Sequence, residues 1–140
     1  GKGFEGMKYE EQLKQTKETY HFMIHNNIKA AMLTKDQARV TAAVTPASLN
    51  AMESVHGGLM FIMAEIAAGL LTRNDGRRHV TVNSSFRFLK GTNRAEELTA
   101  EAAVINRGRR LCVCRSVVRE TGNERILAEG EFTFYCLDEG

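Results

Sequence analysis

Two patterns of hydrophobic residues divide this chain. The longest apolar run, from Leu59 to Leu71, is interrupted by one charged residue, Glu65, and is rich in Leu, Met and Ala. That composition favours a helix over a strand, and the lack of a polar face of any width predicts that the helix is buried nearly all round. A membrane-spanning helix needs about 20 apolar residues, so this shorter run is interpreted as a core helix.

Alternating apolar and polar residues predict strands in most of the remaining chain. Before the helix, Ile28–Leu33 and Ala38–Val44 have the spacing of a hairpin. After the helix, four strands are predicted near residues 79–89, 96–106, 109–120 and 124–137. The clearest alternation predicts the inward face of the last strand, which consists of Ile126, Ala128, Gly130, Phe132, Phe134 and Cys136.

Residues 1–27 are predicted to form an N-terminal helix, and residues 28–140 the main part of a single α+β domain. The residues that recur at helical spacing near the N-terminus are Tyr9, Leu13, Thr16, Tyr20 and Ile24. An antiparallel sheet has one face to cover, and the apolar helix is the natural cover. We therefore expect a curved antiparallel sheet wrapped around one long buried helix, in a strand order that periodicity alone does not determine.

Composition and charge exclude several classes of protein. The chain has 140 residues and a net charge of +2, which fits one domain and excludes a uniformly basic nucleic-acid binder. Three cysteines are too few for a disulfide scaffold, and the first residues lack the apolar stretch of a signal peptide, so a reducing, cytoplasmic location is predicted. Charge is uneven, because residues 73–119 hold eleven bases and four acids, whereas residues 120–140 hold one base and six acids.

Glu65 is the most informative residue, because it lies in the middle of the apolar helix. Burying an unpaired carboxylate costs several kcal/mol, so the group must be partnered, protonated or next to a cavity. A structural carboxylate bonded to the backbone and a functional one are equally compatible with this position.

The start of the same helix offers a second feature, His56-Gly57-Gly58. A helix N-terminus presents unpaired N–H groups, which can polarise a carbonyl and stabilise an oxyanion. Glu65 lies eight residues beyond Gly57, which is about 12 Å along a helix. The carboxylate and the amide could therefore meet only across two antiparallel copies of the helix, which predicts a homodimer with two shared sites.

The spacing of Asn50, His56, Gly57, Gly58 and Glu65 resembles the signature of hotdog-fold acyl-CoA thioesterases, in particular the subgroup related to the phenylacetate-pathway thioesterase. The likeness covers residues 28–136. It includes the segments Val80-Thr81-Val82-Asn83, Phe88-Leu89-Lys90-Gly91, Arg107-Gly108-Arg109-Arg110 and Ala128-Glu129-Gly130-Glu131-Phe132-Thr133-Phe134.

The resemblance implies a hotdog fold, a homodimer with a continuous sheet, and often a homotetramer. It implies that Glu65 is the catalytic carboxylate, acting as a general base or as a nucleophile, and that the Gly57 N–H polarises the thioester carbonyl from the neighbouring subunit. His56 and Asn50 would assist in binding the carbonyl and placing water, and Thr81 would also position water. Many relatives carry Asp in place of Glu65, which leaves its two roles open.

Substrate contacts follow from the same resemblance and from the charge distribution. Gly58 is expected to lie against the substrate, and Lys90, Arg107, Arg109 and Arg110 are candidates for binding the phosphates of coenzyme A. A solvated hairpin tip is the alternative for the three arginines. No metal and no separate cofactor are predicted, since coenzyme A is part of the substrate.

Other readings of the sequence are weaker. Glu18, His21 and His25 could suggest a metal site, but an exposed helix face explains them better. Cys112 and Cys114 share one face of a strand and are interpreted as core residues. A hotdog dehydratase or hydratase, and a non-catalytic acyl-CoA-binding protein, remain alternative functions, and neither a nucleic-acid nor a membrane partner is predicted.

Overall fold

The computed structural model describes residues 2–138, which form one antiparallel sheet, one long central helix and an N-terminal helical segment. The helices are α1 (Lys2–Thr19), α2 (His21–His25) and α3 (Gly57–Thr72). The strands are β1 (Ile28–Leu33), β2 (Gln37–Ala43), β3 (His79–Phe88), β4 (Glu97–Arg107), β5 (Leu111–Glu120) and β6 (Ile126–Cys136). Within the described residues, no helix combines the length and apolar character that crossing a membrane requires.

The six strands follow the order β1-β2-β4-β5-β6-β3, and every neighbouring pair is antiparallel. The sheet curves around α3, which packs against all six strands. Met63, Ala64, Ala67 and Leu71 of α3 are fully buried against it. The predicted α+β hotdog arrangement, a curved antiparallel sheet around one long helix, is confirmed.

The helix is less enclosed than its composition predicts. Its C-terminal part is buried from Ile66 to Thr72, but Leu59, Phe61, Ile62 and Glu65 are only half-buried. The expectation of a helix buried nearly all round is therefore wrong for its N-terminal half in a single chain. Half-exposed apolar side chains on the central helix leave a face that a further surface can cover.

The predicted inward face of β6 is correct from Ala128 to Cys136 and wrong at Ile126. The pairing register between β5 and β6 shifts at Val118/Arg119. Leu127 is fully buried as a result, whereas Ile126 is half-buried. A β-bulge shifts the alternation by one residue, so every side chain beyond it changes face.

The predicted N-terminal helix is broken into two. Tyr20 separates α1 from α2 with a φ of −85° and a ψ of 82°, which is not helical. The break rotates the apolar stripe, so Met23 is buried while Tyr20 and Ile24 are exposed. Tyr9 and Leu13, on α1, pack against the core as the spacing predicted.

Strand β3 forms one edge of the sheet and pairs only with β6. It carries an extra residue between Thr81 and Asn83, so a bulge divides its two halves. Val80, Val82 and Phe88 are exposed on this strand. An edge strand with unpaired backbone groups and exposed apolar side chains is a template for pairing with another strand.

Candidate active site

The N-terminus of α3 is capped by His56, whose own backbone remains extended. The Gly58 N–H donates to Nδ1 of His56 at 2.8 Å, and the Leu59 N–H donates to the His56 carbonyl oxygen at 3.0 Å. Because Nδ1 accepts a hydrogen bond, a neutral His56 carries its proton on Nε2, where the exposed ring can donate to a ligand. The Gly58 amide is used by this cap, so its predicted contact with substrate stays a prediction.

The His56 cap does not provide an acceptor for the Gly57 amide. Gly57 is the first residue of α3, and the first N–H groups of a helix have no intrahelical acceptor. Its N–H forms no hydrogen bond with any other residue among 2–138. A free amide at the positive end of a helix dipole is suited to a developing oxyanion.

Asn50 lies in the tight loop that leads to this helix. Its Oδ1 accepts from the Met52 N–H at 2.9 Å and from the Ser54 N–H at 3.1 Å. The loop is closed further by the Asn50 N–H, which donates to the Ser54 carbonyl at 2.7 Å. The side-chain oxygen of Asn50 therefore holds the loop, which leaves the side-chain NH₂ as the group that can donate to a ligand.

Glu65 is held by a strand residue rather than by the backbone. The Thr81 hydroxyl of β3 donates to Glu65 Oε1 at 3.0 Å. Thr81 is the last residue before the bulge in β3, and bulges re-aim side chains next to active sites. Glu65 thus has one oxygen held by Thr81, and it is half-buried at the open side of α3.

Four phenylalanine rings pack against one another beside the N-terminal half of α3. Phe61 of α3 lies 5.3 Å from Phe86 and 5.5 Å from Phe132, measured between ring centroids. Phe88 stacks edge-on against Phe86 at 5.2 Å. Phe88 also touches the helix start, since a Cβ built on Gly57 would lie 3.0 Å from its Cε1.

Arg107 has a structural role at the C-terminus of α3. Its guanidinium donates to the Thr72 carbonyl at 3.0 Å and to the Leu71 carbonyl at 3.2 Å, and so caps the C-terminus of α3. It also lies 3.5 Å from Asp75 Oδ2. Burial raises the pKa of Asp75, but hydrogen bonds from Arg77 and the charges of Arg77 and Arg107 outweigh it, so the pKa lies below its usual value. A cation at this end of a helix stabilises the helix dipole.

The remaining basic candidates differ in the contacts that their side chains form. Arg110 Nη1 lies 3.5 Å from the Cys136 carbonyl oxygen, and its guanidinium lies 6.0 Å from the centre of the Tyr135 ring. The side chains of Lys90 and Arg109 are exposed and form no hydrogen bond or ion pair within the described part of the chain. These two are the basic side chains from the predicted set that remain available to an anion.

The described part of the chain does not form the alternative metal site, and its two neighbouring cysteines are core residues. Among residues 2–138, no group of three or more His, Cys, Asp or Glu side chains could hold a metal ion. Glu18 and His21 lie on different helices because of the break at Tyr20. Cys112 and Cys114 are fully buried, with their sulfurs 4.0 Å apart, as expected of core residues.

Two residues near the site could not be assigned to it from the sequence. Ser116 of β5 is fully buried and donates to the Ala64 carbonyl at 2.8 Å, next to Glu65 along the helix. Phe88 touches Gly57 only because the bulge in β3 turns it toward α3. Alternation along a strand carries no signal for either contact, since both depend on which elements become neighbours.

Comparison with known proteins agrees with the resemblance seen in the sequence. The family model described as the thioesterase superfamily matches residues 52–126, which is more than half of the chain. A predicted esterase of Archaeoglobus fulgidus is 31% identical over 103 residues, which cover 73% of this chain and 66% of that protein. The match therefore spans just under two thirds of that curated relative.

Solved structures support the fold. A hypothetical thioesterase from Streptococcus pneumoniae, determined with coenzyme A, is 26% identical with a TM-score of 0.78, covering 87% of this chain and 97% of that one. Other structures of a hypothetical thioesterase from that organism carry alanine in place of an aspartate and of a threonine sixteen residues further on. A phenylacetic acid degradation protein from Thermus thermophilus is 23% identical with a TM-score of 0.77, covering 84% of this chain and 99% of that one, which shows a shared fold.

The sheet wrapped around α3 and the matched family region agree on the fold. The predicted hotdog fold and the predicted thioesterase family are thus confirmed. This chain belongs to the thioesterase superfamily.

Proposed function

We propose that this protein is an acyl-CoA thioesterase, which hydrolyses a thioester to a free acid and coenzyme A. The observation that carries the proposal is one helix with a free amide at Gly57 and, two turns later, a carboxylate held by Thr81. The sixteen residues from Glu65 to Thr81 equal the interval between the aspartate and the threonine replaced in the pneumococcal structures. The coenzyme A in a structure of that protein supports the same class of substrate.

The reaction needs only the groups described. The Gly57 N–H donates to the thioester carbonyl oxygen and stabilises the negative charge that develops there. As a general base, Glu65 takes a proton from water, whose oxygen adds to the carbonyl carbon. As a nucleophile, Glu65 adds to that carbon itself, and water then cleaves the anhydride. Either way the C–S bond breaks, the electron pair leaves with sulfur, and a proton from the carboxyl or water yields the thiol.

The two halves of this site come from different chains in our proposal. Within one chain, Gly57 and Glu65 are separated by about 12 Å along the helix. The open face of α3 and the free edge of β3 are where a second copy can approach. A two-fold axis there would bring Gly57 of each copy to Glu65 of the other and create two equivalent sites.

Contacts between α3 and β3 indicate where such an axis would cross the edge strand. Gly57 lies beside Phe88, and Glu65 lies beside Thr81. Bringing Gly57 of a second copy to Glu65 therefore brings its Phe88 to Thr81. The midpoint between these two positions is Ser84 and Ser85, so antiparallel β3 strands would pair there about the axis.

A single cysteine near this axis is expected to cross-link to itself. Ser84→Cys and Ser85→Cys lie on opposite faces of β3, and at least one should form a disulfide-linked dimer with diamide, because residues facing each other across a two-fold axis are identical. Lys29→Cys on β1, the opposite edge of the sheet, is the control and should stay unlinked. The native cysteines are buried and should not react. Non-reducing gels that show no dimer for both serine variants would contradict the β3 pairing.

The anionic end of coenzyme A requires cationic side chains outside the reacting centre. Lys90 lies two residues beyond the end of β3, and Arg109 lies in the turn between β4 and β5. Both side chains are exposed, whereas Arg107 is occupied by the end of α3. We therefore assign the phosphate contacts to Lys90 and Arg109 rather than to Arg107, with Arg110 as a weaker contributor.

Release of free thiol from a panel of short, medium, long and aromatic acyl-CoAs tests the function. We expect hydrolysis of at least one of them. The same acyl groups on pantetheine, which lacks the phosphates, should show a raised KM and a similar kcat, because the basic residues bind away from the thioester. Hydration of an enoyl-CoA without thiol release would favour the dehydratase alternative, and binding without turnover would favour an acyl-CoA-binding protein.

The remaining expectations stay predictions. These are the homotetramer, the cytoplasmic location, the absence of a metal or separate cofactor, and the absence of nucleic-acid and membrane partners. Sedimentation at several protein concentrations distinguishes a dimer from a tetramer.

A further inference from the structure

We propose that Phe88 is a positioning residue, which holds the Gly57 amide in the orientation that the reaction needs and forms an apolar wall beside it. The inference rests on the proposed function, because it concerns the oxyanion donor of that site. It begins from a close contact between the end of an edge strand and the start of the central helix.

The contact is close because position 57 is a glycine. A Cβ at position 57 would lie 3.0 Å from Phe88 Cε1 and 3.2 Å from its Cδ1, which is tighter than ordinary packing. The aromatic ring therefore occupies the space where a side chain at position 57 would begin. Gly57 therefore leaves room for this ring.

The Phe88 ring is held in place by contacts with other aromatic rings. Phe88 packs edge-on against Phe86 at 5.2 Å with an interplanar angle of 78°. Phe86 in turn contacts Phe61 of α3, one turn after Gly57, and Phe132 of β6. Aromatic pairs of this geometry contribute beyond their buried area, so the row of rings gives Phe88 a defined position against the helix start.

Phe88 is partly exposed at the end of the edge strand. It is 59% exposed in one chain, so part of its ring is available to the site that a second copy would complete. The ring adjoins Gly57 at the start of α3, where residues 57–59 are half-buried in one chain. A hydrophobic wall there keeps water from competing for the amide, and hydrogen bonds to an oxyanion are stronger in a site of low dielectric constant.

The first test compares Phe88→Ala with Phe88→Tyr and with Ile105→Ala. Ile105 is 52% exposed on β4 and serves as the control for losing a large exposed apolar side chain. Phe88→Ala should lower kcat by about 10- to 100-fold with KM within about twofold, because small displacements of an oxyanion donor are costly. Phe88→Tyr, which keeps the ring, should restore most of kcat, and Ile105→Ala should leave both constants unchanged.

A double-variant cycle tests whether Phe88 acts through Gly57. Gly57→Ala should lower kcat by pushing the ring aside, and the same change in the Phe88→Ala background should add little further loss. Additive losses would overturn the proposal. So would a Phe88→Ala enzyme with kcat within threefold of the wild type, or a loss that follows dissociation into monomers during the assay.

The outcomes separate this proposal from the proposed function. A wild-type protein that hydrolyses no thioester overturns both. An active wild type with an unaffected Phe88→Ala variant overturns only the role of Phe88.

Discussion

Replacing Glu65 with Gln is expected to lower kcat by about 10³-fold or more while the protein stays folded. A glutamine amide neither accepts a proton from water at neutral pH nor attacks a carbonyl carbon, so both roles open to Glu65 are lost. The side chain keeps its shape and an oxygen that can accept from the Thr81 hydroxyl, which now lies 3.0 Å from Oε1. Because the residue is only half-buried, the fold should tolerate the change.

The measurement is thiol release from the best substrate of the acyl-CoA panel, together with thermal unfolding of each variant. Glu131→Gln is the matched control, since Glu131 is an exposed glutamate on β6 away from α3. It should retain wild-type turnover. Full activity of the Glu65→Gln protein across the panel would refute the assignment of Glu65 and with it the proposed mechanism.

Replacing Gly130 with Ala is expected to cost about 3 kcal/mol of unfolding free energy or more, at the upper end of overpacking in a core. Gly130 of β6 faces Phe86 of β3 in the register of the two strands. A Cβ at this position would overlap the carbonyl oxygen of Ser85 and lie 2.7 Å from the Cα of Phe86. Backbone atoms cannot turn aside as a flexible side chain can, so β3 would have to move away from β6.

Urea unfolding followed by circular dichroism measures this cost. Gly91→Ala is the control, because no atom lies within 4 Å of a Cβ at position 91 and its backbone is not left-handed. The control should unfold at the wild-type urea concentration. Since β3 carries Thr81 and Phe88, any Gly130→Ala protein that folds should also lose turnover. Equal midpoints for the two variants would show that the strands accommodate the methyl group.

Most of the secondary structure could be predicted from the sequence because its pattern is local. The helix predicted from Leu59 to Leu71 is α3, and the six predicted strands are present with their ends shifted by a few residues. The predictions fail where a local pattern is interrupted by a tertiary contact. Leu127 is buried in place of Ile126 because β6 bulges against β5. The N-terminal helix breaks at Tyr20, and Met23 is then buried in the core.

Part of the candidate site could likewise be predicted from the sequence, and part depends on tertiary contacts. Gly57 and Glu65 belong to one helix, so their separation follows from the sequence and already predicts that a site needs two copies of the chain. The sequence makes Arg107 a candidate for binding phosphate, yet its guanidinium caps α3, because the fold places the end of β4 beside Thr72. No spacing along the chain encodes that neighbour.

The sequence by itself determined the elements, the apolar helix with its one carboxylate, and the family of this protein. Those properties depend on residues a few positions apart, whose periodicity follows from helix and strand geometry. Only the tertiary structure decided the strand order, the bulge at Val82 that separates Thr81 from Phe88, and the contacts of these residues with Glu65 and Gly57. Such contacts arise from hydrogen bonds and packing between distant segments, for which periodicity carries no information.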